Sequence, residues 1–189
     1  DAARDVVGDQ PGELLVRRAG DNPRYGFFRE YLKNPEATDE AWQDGWFHTG
    51  DIVSRDADGD LHFVDRKKNV IRRSGENIAA VEVETILAKN PAIKQVAVAA
   101  TPDPVRGDEV VALVVTDDPC SNAGAAAEIA RWALEEMAYY KVPGWIGFVS
   151  ELPRTPTEKI LRAALKDLVT EKMAAGDLHD TRALKKRSK

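Results

Sequence analysis

One cysteine, Cys120, is all that the 189 residues of this chain contain. That count excludes an internal disulfide and a zinc site built of four thiolates. Cys120 reads as an inert thiol in a loop after Asp117-Asp118-Pro119. The histidines His48, His62 and His179 are scattered and have no metal-ligand spacing, so no metal site is expected. No apolar run is long enough to span a bilayer, and the opening DAARDVVGDQ lacks the apolar core of a signal peptide. A cytosolic setting is the default expectation. Neither a Walker-type phosphate loop nor a dinucleotide GxGxxG occurs, and no spacing points to a Ser-His-Asp or Cys-His arrangement. A net charge of -5 argues against nucleic-acid binding by bulk attraction.

What remains is a chain with 43% hydrophobic and 31% charged residues, the balance of a soluble globular protein. Its length holds one ordinary domain or two small ones. Residues 1–11 read as a loose lead-in. Residues 12–17 (GELLVR) read as a strand, residues 34–38 (NPEAT) as a cap before a short helix, and residues 45–53 as a strand broken by a tight turn. DADG at 56–59 signals a hairpin into the next strand at 61–64. Beyond Gly75 helices and strands alternate. Helices are expected at 80–89, 123–137 and 159–172, and strands at 93–101, 109–115 and 143–149, with a loop at 102–108. The expected fold class is α+β: a mainly-β unit over residues 1–66, an α+β unit with a small sheet and flanking helices over 67–176, and a charged, frayed tail over 177–189.

The chain is organised around residues 63–78, FVDRKKNVIRRSGENI, two apolar runs joined by a strongly charged centre. Interiors rarely accept so many charges in a row, so the stretch belongs at a surface, at a boundary, or over an anionic ligand. Several candidates for chemistry lie in or near it. Gly50 lets the backbone of Thr49-Gly50-Asp51 turn, and Asp51 either accepts hydrogen bonds from a cis-diol or satisfies its own turn. A hairpin folds Arg66 back towards Asp51, where its guanidinium either serves a hydroxyl or phosphate or pairs with Asp65 at the surface. Lys68 is either a hinge or a solubilising turn residue. Gly75 permits close approach of the backbone to a ligand or makes a plain turn, and Arg72 and Arg73 either bind phosphate or face water. Two prolines stiffen the loop that presents Lys159 at a helix start, which makes an anion site or an ordinary surface lysine.

Taken in order, these pieces resemble the C-terminal part of the adenylate-forming enzymes: acyl- and aryl-CoA synthetases, peptide-synthetase adenylation domains and luciferases. The matching residues are Gly12-Glu13-Leu14, YLKNPEAT at 31–38, GWFHTGD at 45–51, DRKKNVI at 65–71, SGENI at 74–78, Glu82-Val83-Glu84 and PRTPTEK at 153–159. The resemblance covers nearly everything from residue 12 to about 170.

The resemblance implies that Asp51 binds the ribose hydroxyls of ATP with support from Arg66. It implies that Lys68 is the hinge of a mobile lid. The loop around Gly75 would line the tunnel for the pantetheine arm of CoA, and Lys159 would contact the carboxylate and α-phosphate during adenylation. Carboxylic acid, ATP/AMP and CoA are the implied partners; Mg2+ is implied too, with its ligand expected upstream of residue 1 together with the phosphate loop and acyl pocket. The chain therefore reads as a C-terminal fragment, inactive by itself. Transfer to a carrier-protein thiol and a non-catalytic binding module are the alternatives. Two positions depart from the pattern: Glu158 stands where the family usually has glycine, and Ala80 stands where proline often precedes the Glu-x-Glu pair. Similar replacements of that glycine accompany the ligases for carnitine and crotonobetaine.

Overall fold

The computed structural model describes residues 10–117 and 122–185. Cys120 and most of the expected lead-in fall outside them. The chain divides into two compact units, and the division falls between Lys68 and Asn69.

The first unit is built on one strand. β1 (Gly12–Val16), β2 (Trp42–Gln43) and β4 (Leu61–Arg66) all pair with the ten-residue β3 (Trp46–Arg55). The DADG hairpin forms as expected: Asp56 Oδ1 accepts from the amides of Asp58 and Asp60 at 3.1 and 2.9 Å. The short helix α1 (Pro35–Ala41) begins where Asn34 caps the amide of Ala37 at 3.0 Å. A unit this small makes its core from large rings. Trp42 and Phe47 pack at 5.5 Å, and Phe27 lies 5.1 Å from Trp42.

β3 runs without the break expected at Thr49-Gly50-Asp51. Glu13 of β1 faces Ile52 and Leu15 faces His48, so Leu14 alone stands opposite all of residues 49–51. The extra length is absorbed as a bulge, the device that re-aims side chains in a sheet. Thr49 makes it possible. Its hydroxyl donates to the Leu14 carbonyl at 2.8 Å and accepts from the Asp51 amide at 3.1 Å, so the displaced backbone groups are satisfied.

The second unit is a six-stranded sheet ordered β10-β9-β8-β5-β6, with β7 on the other flank of β8. Its strands are β5 (Val70–Arg73), β6 (Glu76–Ala79), β7 (Gln95–Asp103), β8 (Gly107–Val115), β9 (Trp145–Phe148) and β10 (His179–Asp180). The helices are α2 (Ala80–Leu87), α3 (Ala123–Glu136) and α4 (Arg162–Ala175). The alternation along β8 explains the layering. Val110, Ala112 and Val114 join the core with α2 and α3, while Val111, Leu113 and Val115 join the one with Leu165 and Val169 of α4. With both faces covered, β8 reads as one apolar run.

Three expectations are corrected here. The loop expected at 102–108 is largely strand, because Asp103 Oδ1 caps the amides of Val105 and Arg106 and closes the β7–β8 hairpin tightly. The last helix starts at Arg162, not at Lys159. The frayed tail expected over 177–189 is docked as far as it is described. β10 pairs with β9, Thr181 is buried and donates to the Pro143 carbonyl at 2.7 Å, and Lys185 is buried.

Candidate functional site

In the first unit the bulge turns Asp51 towards Arg66, its register partner on β4. Gly50 holds the bulge with a φ of +71°, a backbone state that costs any residue with a Cβ. Arg66 Nε lies 2.8 Å from Asp51 Oδ1, and Arg66 Nη1 donates to the Thr49 carbonyl at 3.1 Å. The side chains keep 53% and 28% exposure. Oδ1 has no aligned hydrogen-bond donor, so the contact with Nε is an ion pair off the hydrogen-bonding line. Oδ1 is closed to solvent, so the carboxylate can meet a hydroxyl only through its other oxygen, beside the partly exposed guanidinium of Arg66.

Asp65 lies inside the unit, away from the surface. It is 1% exposed and accepts from the Arg66 amide at 2.7 Å. Behind it, Glu13 binds Lys67 Nζ at 2.7 Å and His48 Nδ1 at 3.2 Å. Burial alone would push the Glu13 carboxyl up; the Lys67 and His48 contacts outweigh it and hold the group below its ordinary value. Lys68 follows, exposed, in a single 3-10 turn over Lys67–Asn69, the last residue of the first unit.

In the second unit β5 and β6 form a hairpin closed by Ser74-Gly75, with φ of +51° and +88°. Consecutive positive φ angles make the primed turn that suits the twist of a hairpin. Ser74 donates its amide to the Arg106 carbonyl at 2.8 Å, and the Arg72 amide donates to Asp108 Oδ2 at 3.2 Å. The arginines before the turn part company. Arg72 is exposed. Arg73 is buried, its Nε 2.8 Å from Glu109 Oε1. Arg73 is therefore withdrawn from phosphate binding: its charge is spent on a carboxylate inside the core.

Lys159 sits in a tight loop ahead of α4, so the anion site expected from a lysine at a helix start is not formed. The Thr155 amide donates to the Lys159 carbonyl at 2.8 Å, and Arg154 pairs across the loop with Ile160. Glu158 has a φ of +63°. This left-handed state is the physical reason why a glycine suits the position. Glu158 is held there by Arg154, whose Nη1 donates to the Glu158 carbonyl at 2.7 Å and lies 3.7 Å from its carboxylate. That carboxylate is 82% exposed, and its ion pair is with Arg154. The loop is tied to the fold by Arg154 on Gln95 at 2.9 Å and by Arg162, whose guanidinium grips both oxygens of Glu84 at 2.6 and 2.8 Å.

Gln95 opens β7 and Asp103 closes it beside Gly107 and Arg106. The Lys159 loop and the Ser74-Gly75 turn are thus anchored at opposite ends of one strand, about 27 Å apart at roughly 3.4 Å per residue.

Sequence reading missed Glu109 and Lys185. Glu109 Oε1 accepts from Arg73, from Lys185 Nζ at 2.6 Å and from the Val110 amide at 3.0 Å. Burial pushes the Glu109 carboxyl up, but the two cations outweigh it and hold it below its ordinary value. Burial pulls the Lys185 ammonium down to about 8, against the opposing effect of Glu109. The one available signal was a lone carboxylate at the start of the apolar run VVALVV. Among the described residues no group of His, Cys, Asp and Glu is arranged to hold a metal ion, and no helix is long and apolar enough to cross a membrane.

Residues 82–159 match the family model for the AMP-binding enzyme C-terminal domain. Over 161 residues, 85% of this chain, it is 37% identical to a probable acyl-activating enzyme 5, peroxisomal, of Arabidopsis thaliana. Over 167 residues, 88% of this chain, it is 36% identical to a crotonobetaine/carnitine–CoA ligase of Escherichia coli. The chain spans 28% and 31% of the length of those two relatives. Among solved structures, an anthranilate CoA ligase in complex with anthranoyl-AMP superposes with a TM-score of 0.74 and 30% identity, over 92% of this chain and 32% of that one. An o-succinylbenzoate CoA synthetase from Bacillus subtilis, in complex with its acyl-adenylate intermediate, gives 0.70 and 32%, over 87% and 33%.

Proposed function

From the match of residues 82–159 to the AMP-binding enzyme C-terminal domain, we propose that this chain is the C-terminal part of an AMP-forming acid–thiol ligase. The parent protein adenylates a carboxylic acid with ATP and passes the acyl group to CoA. The observation that supports this reading is the separation of two loops on one sheet, the Lys159 loop at one end of β7 and the Ser74-Gly75 turn at the other. A reaction with two half-steps at one nucleotide site has a use for a unit that presents first one edge and then the other.

In the first step Lys159 neutralises charge on the carboxylate and the α-phosphate, which favours the crowded transition state more than the separated substrates. Asp51, through the carboxylate oxygen not turned to Arg66, takes the ribose diol. Lys68 is the hinge, exposed in a single turn between the units. In the second step the bare backbone of Gly75 lines the thiol path, and exposed Arg72 beside it suits the phosphates of CoA. Mg2+ would neutralise phosphate charge in the parent; the described residues do not form a site for it, so no step here runs through it. In this reading the parent protein is cytosolic, whereas the Arabidopsis relative is named as peroxisomal.

The test uses the full-length protein. Lys159→Ala lowers acid-dependent pyrophosphate exchange by about 10²–10³-fold while thioester formation from supplied acyl-adenylate survives. Unchanged exchange would favour the non-catalytic module. Phosphopantetheinylated carrier protein outcompeting CoA as acceptor would move the reading to carrier loading. This chain by itself, with ATP, magnesium and a panel of acids, releases no pyrophosphate.

A further inference from the structure

The β5–β6 hairpin is held at its middle by Ile71 and Ile78, buried in the core with α2 and α3, and meets β8 only near its turn. β5 and β8 share a single register pair, Arg73 with Gly107, whereas the β7–β8 ladder runs unbroken from Gln95–Val115 to Asp103–Gly107. The Ser74 amide adds one backbone bond, to the Arg106 carbonyl at 2.8 Å, so backbone pairing to the β7–β8 hairpin is confined to the turn end. Side chains supply the rest. Arg73, the residue just before Ser74-Gly75, reaches into the core to Glu109 of β8, and Lys185 reaches the same oxygen from the far end of the chain. Room for this is specific. A Cβ on Gly144 would stand 2.5 Å from Glu109 Cδ. The segment bearing Lys185 is clamped by Thr181, whose hydroxyl binds the Pro143 carbonyl and whose amide binds the Gly144 carbonyl at 3.0 Å.

Burying two cations and a carboxylate is a poor way to gain stability, since well-packed apolar side chains of similar volume do as well or better. What such a cluster gives is direction: a guanidinium fixed on a carboxylate orients the backbone that carries it. We propose that the Arg73–Glu109–Lys185 cluster sets the position of the Ser74-Gly75 turn, and that Glu109 and Lys185 are positioning residues for acyl transfer to the thiol. The second half rests on the ligase reading above. Neither residue touches substrate; they act through Arg73 and the turn.

The test has two arms. In this chain, hydrogen–deuterium exchange is followed for Lys185→Met, Lys185→Arg and Glu109→Gln. Lys185→Met speeds exchange in residues 70–79 by roughly tenfold, as expected of a local opening, and leaves residues 95–101 and 154–160 unchanged; Lys185→Arg restores protection. Glu109→Gln, which keeps the volume and removes the charge, gives the same local pattern if Lys185→Met fails to fold. Exchange that is unchanged at 70–79, or raised equally through the whole unit, overturns the proposal. In the full-length protein, Lys185→Met slows thioester formation from supplied acyl-adenylate by roughly tenfold, the scale of a modest misplacement, and leaves adenylation as it was, with Lys185→Arg close to the unmodified protein. Parallel loss of both half-reactions overturns the catalytic half. Absence of both activities from the unmodified protein, with the exchange pattern intact, sinks the ligase reading and leaves the cluster's hold on the turn standing.

Discussion

Arg66 and Arg73 come from the same charged stretch, each ends a strand, and each pairs with a carboxylate at 2.8 Å. Their surroundings differ completely. The Arg66 and Asp51 side chains are 53% and 28% exposed; those of Arg73 and Glu109 are 6% and 0%. The first pair is partly solvated and worth little to stability. The second is desolvated and shared with a third charge, and breaking it leaves uncompensated charge in the core. Two pairs alike in chemistry and length therefore do opposite work, and exposure decides which can meet a substrate.

The sharpest way to break this comparison is to remove one carboxylate from each pair. Glu109→Ala is expected to cost about 3–5 kcal/mol in urea unfolding, since Arg73 and Lys185 are left buried together. Asp51→Asn should cost less than about 1 kcal/mol while weakening nucleotide binding in the full-length protein. Equal losses would erase the distinction between the pairs.

The buried pair should also respond to alkali. Lys185 faces Glu109 of β8, Arg73 of β5 and Arg106 of the β7–β8 loop. Its folded pKa of about 8 lies below the ordinary 10.5. Between those values the unfolded chain binds the extra proton, so stability should rise with pH across that window. Lys185→Met should lack this rise; a rise of the same size in the variant would remove Lys185 as its source.

Space around the buried pair gives a smaller effect. Gly144→Ala forces a Cβ against Glu109 and should cost about 1–3 kcal/mol by calorimetry, as overpacking does. The exposed site has its own backbone constraint: Gly50→Ala meets a φ of +71° and should cost about 1–2 kcal/mol. Smallest is Glu158→Gly, which relieves the left-handed backbone and should raise stability by about 0.5–1 kcal/mol. A loss would mean that the Arg154–Glu158 contact outweighs the strain.

The local devices were legible because their causes are local. DADG closes its hairpin through one aspartate, Asn34 caps its helix, and the fold class follows from alternating apolar periods. Lys159 was misplaced because its loop is closed by Arg154 and Ile160, a pairing that periodicity does not see. The break expected at Gly50 became a bulge because Thr49 could satisfy Leu14, a residue remote in the chain. The tail looked frayed because its charges were counted without the partner that buries one of them.

The sequence by itself determined the order of strands and helices, the motifs that carry the family likeness, and the residues available for chemistry. Only the tertiary structure decided which charges stay in reach of solvent. Arg66 and Lys159 keep exposed side chains and Asp51 a partly exposed one, while Arg73 and Lys185 are drawn onto Glu109 inside a sheet. The physical reason is that a charge is committed by whatever partner shares its desolvated space, and that partner stands on another strand.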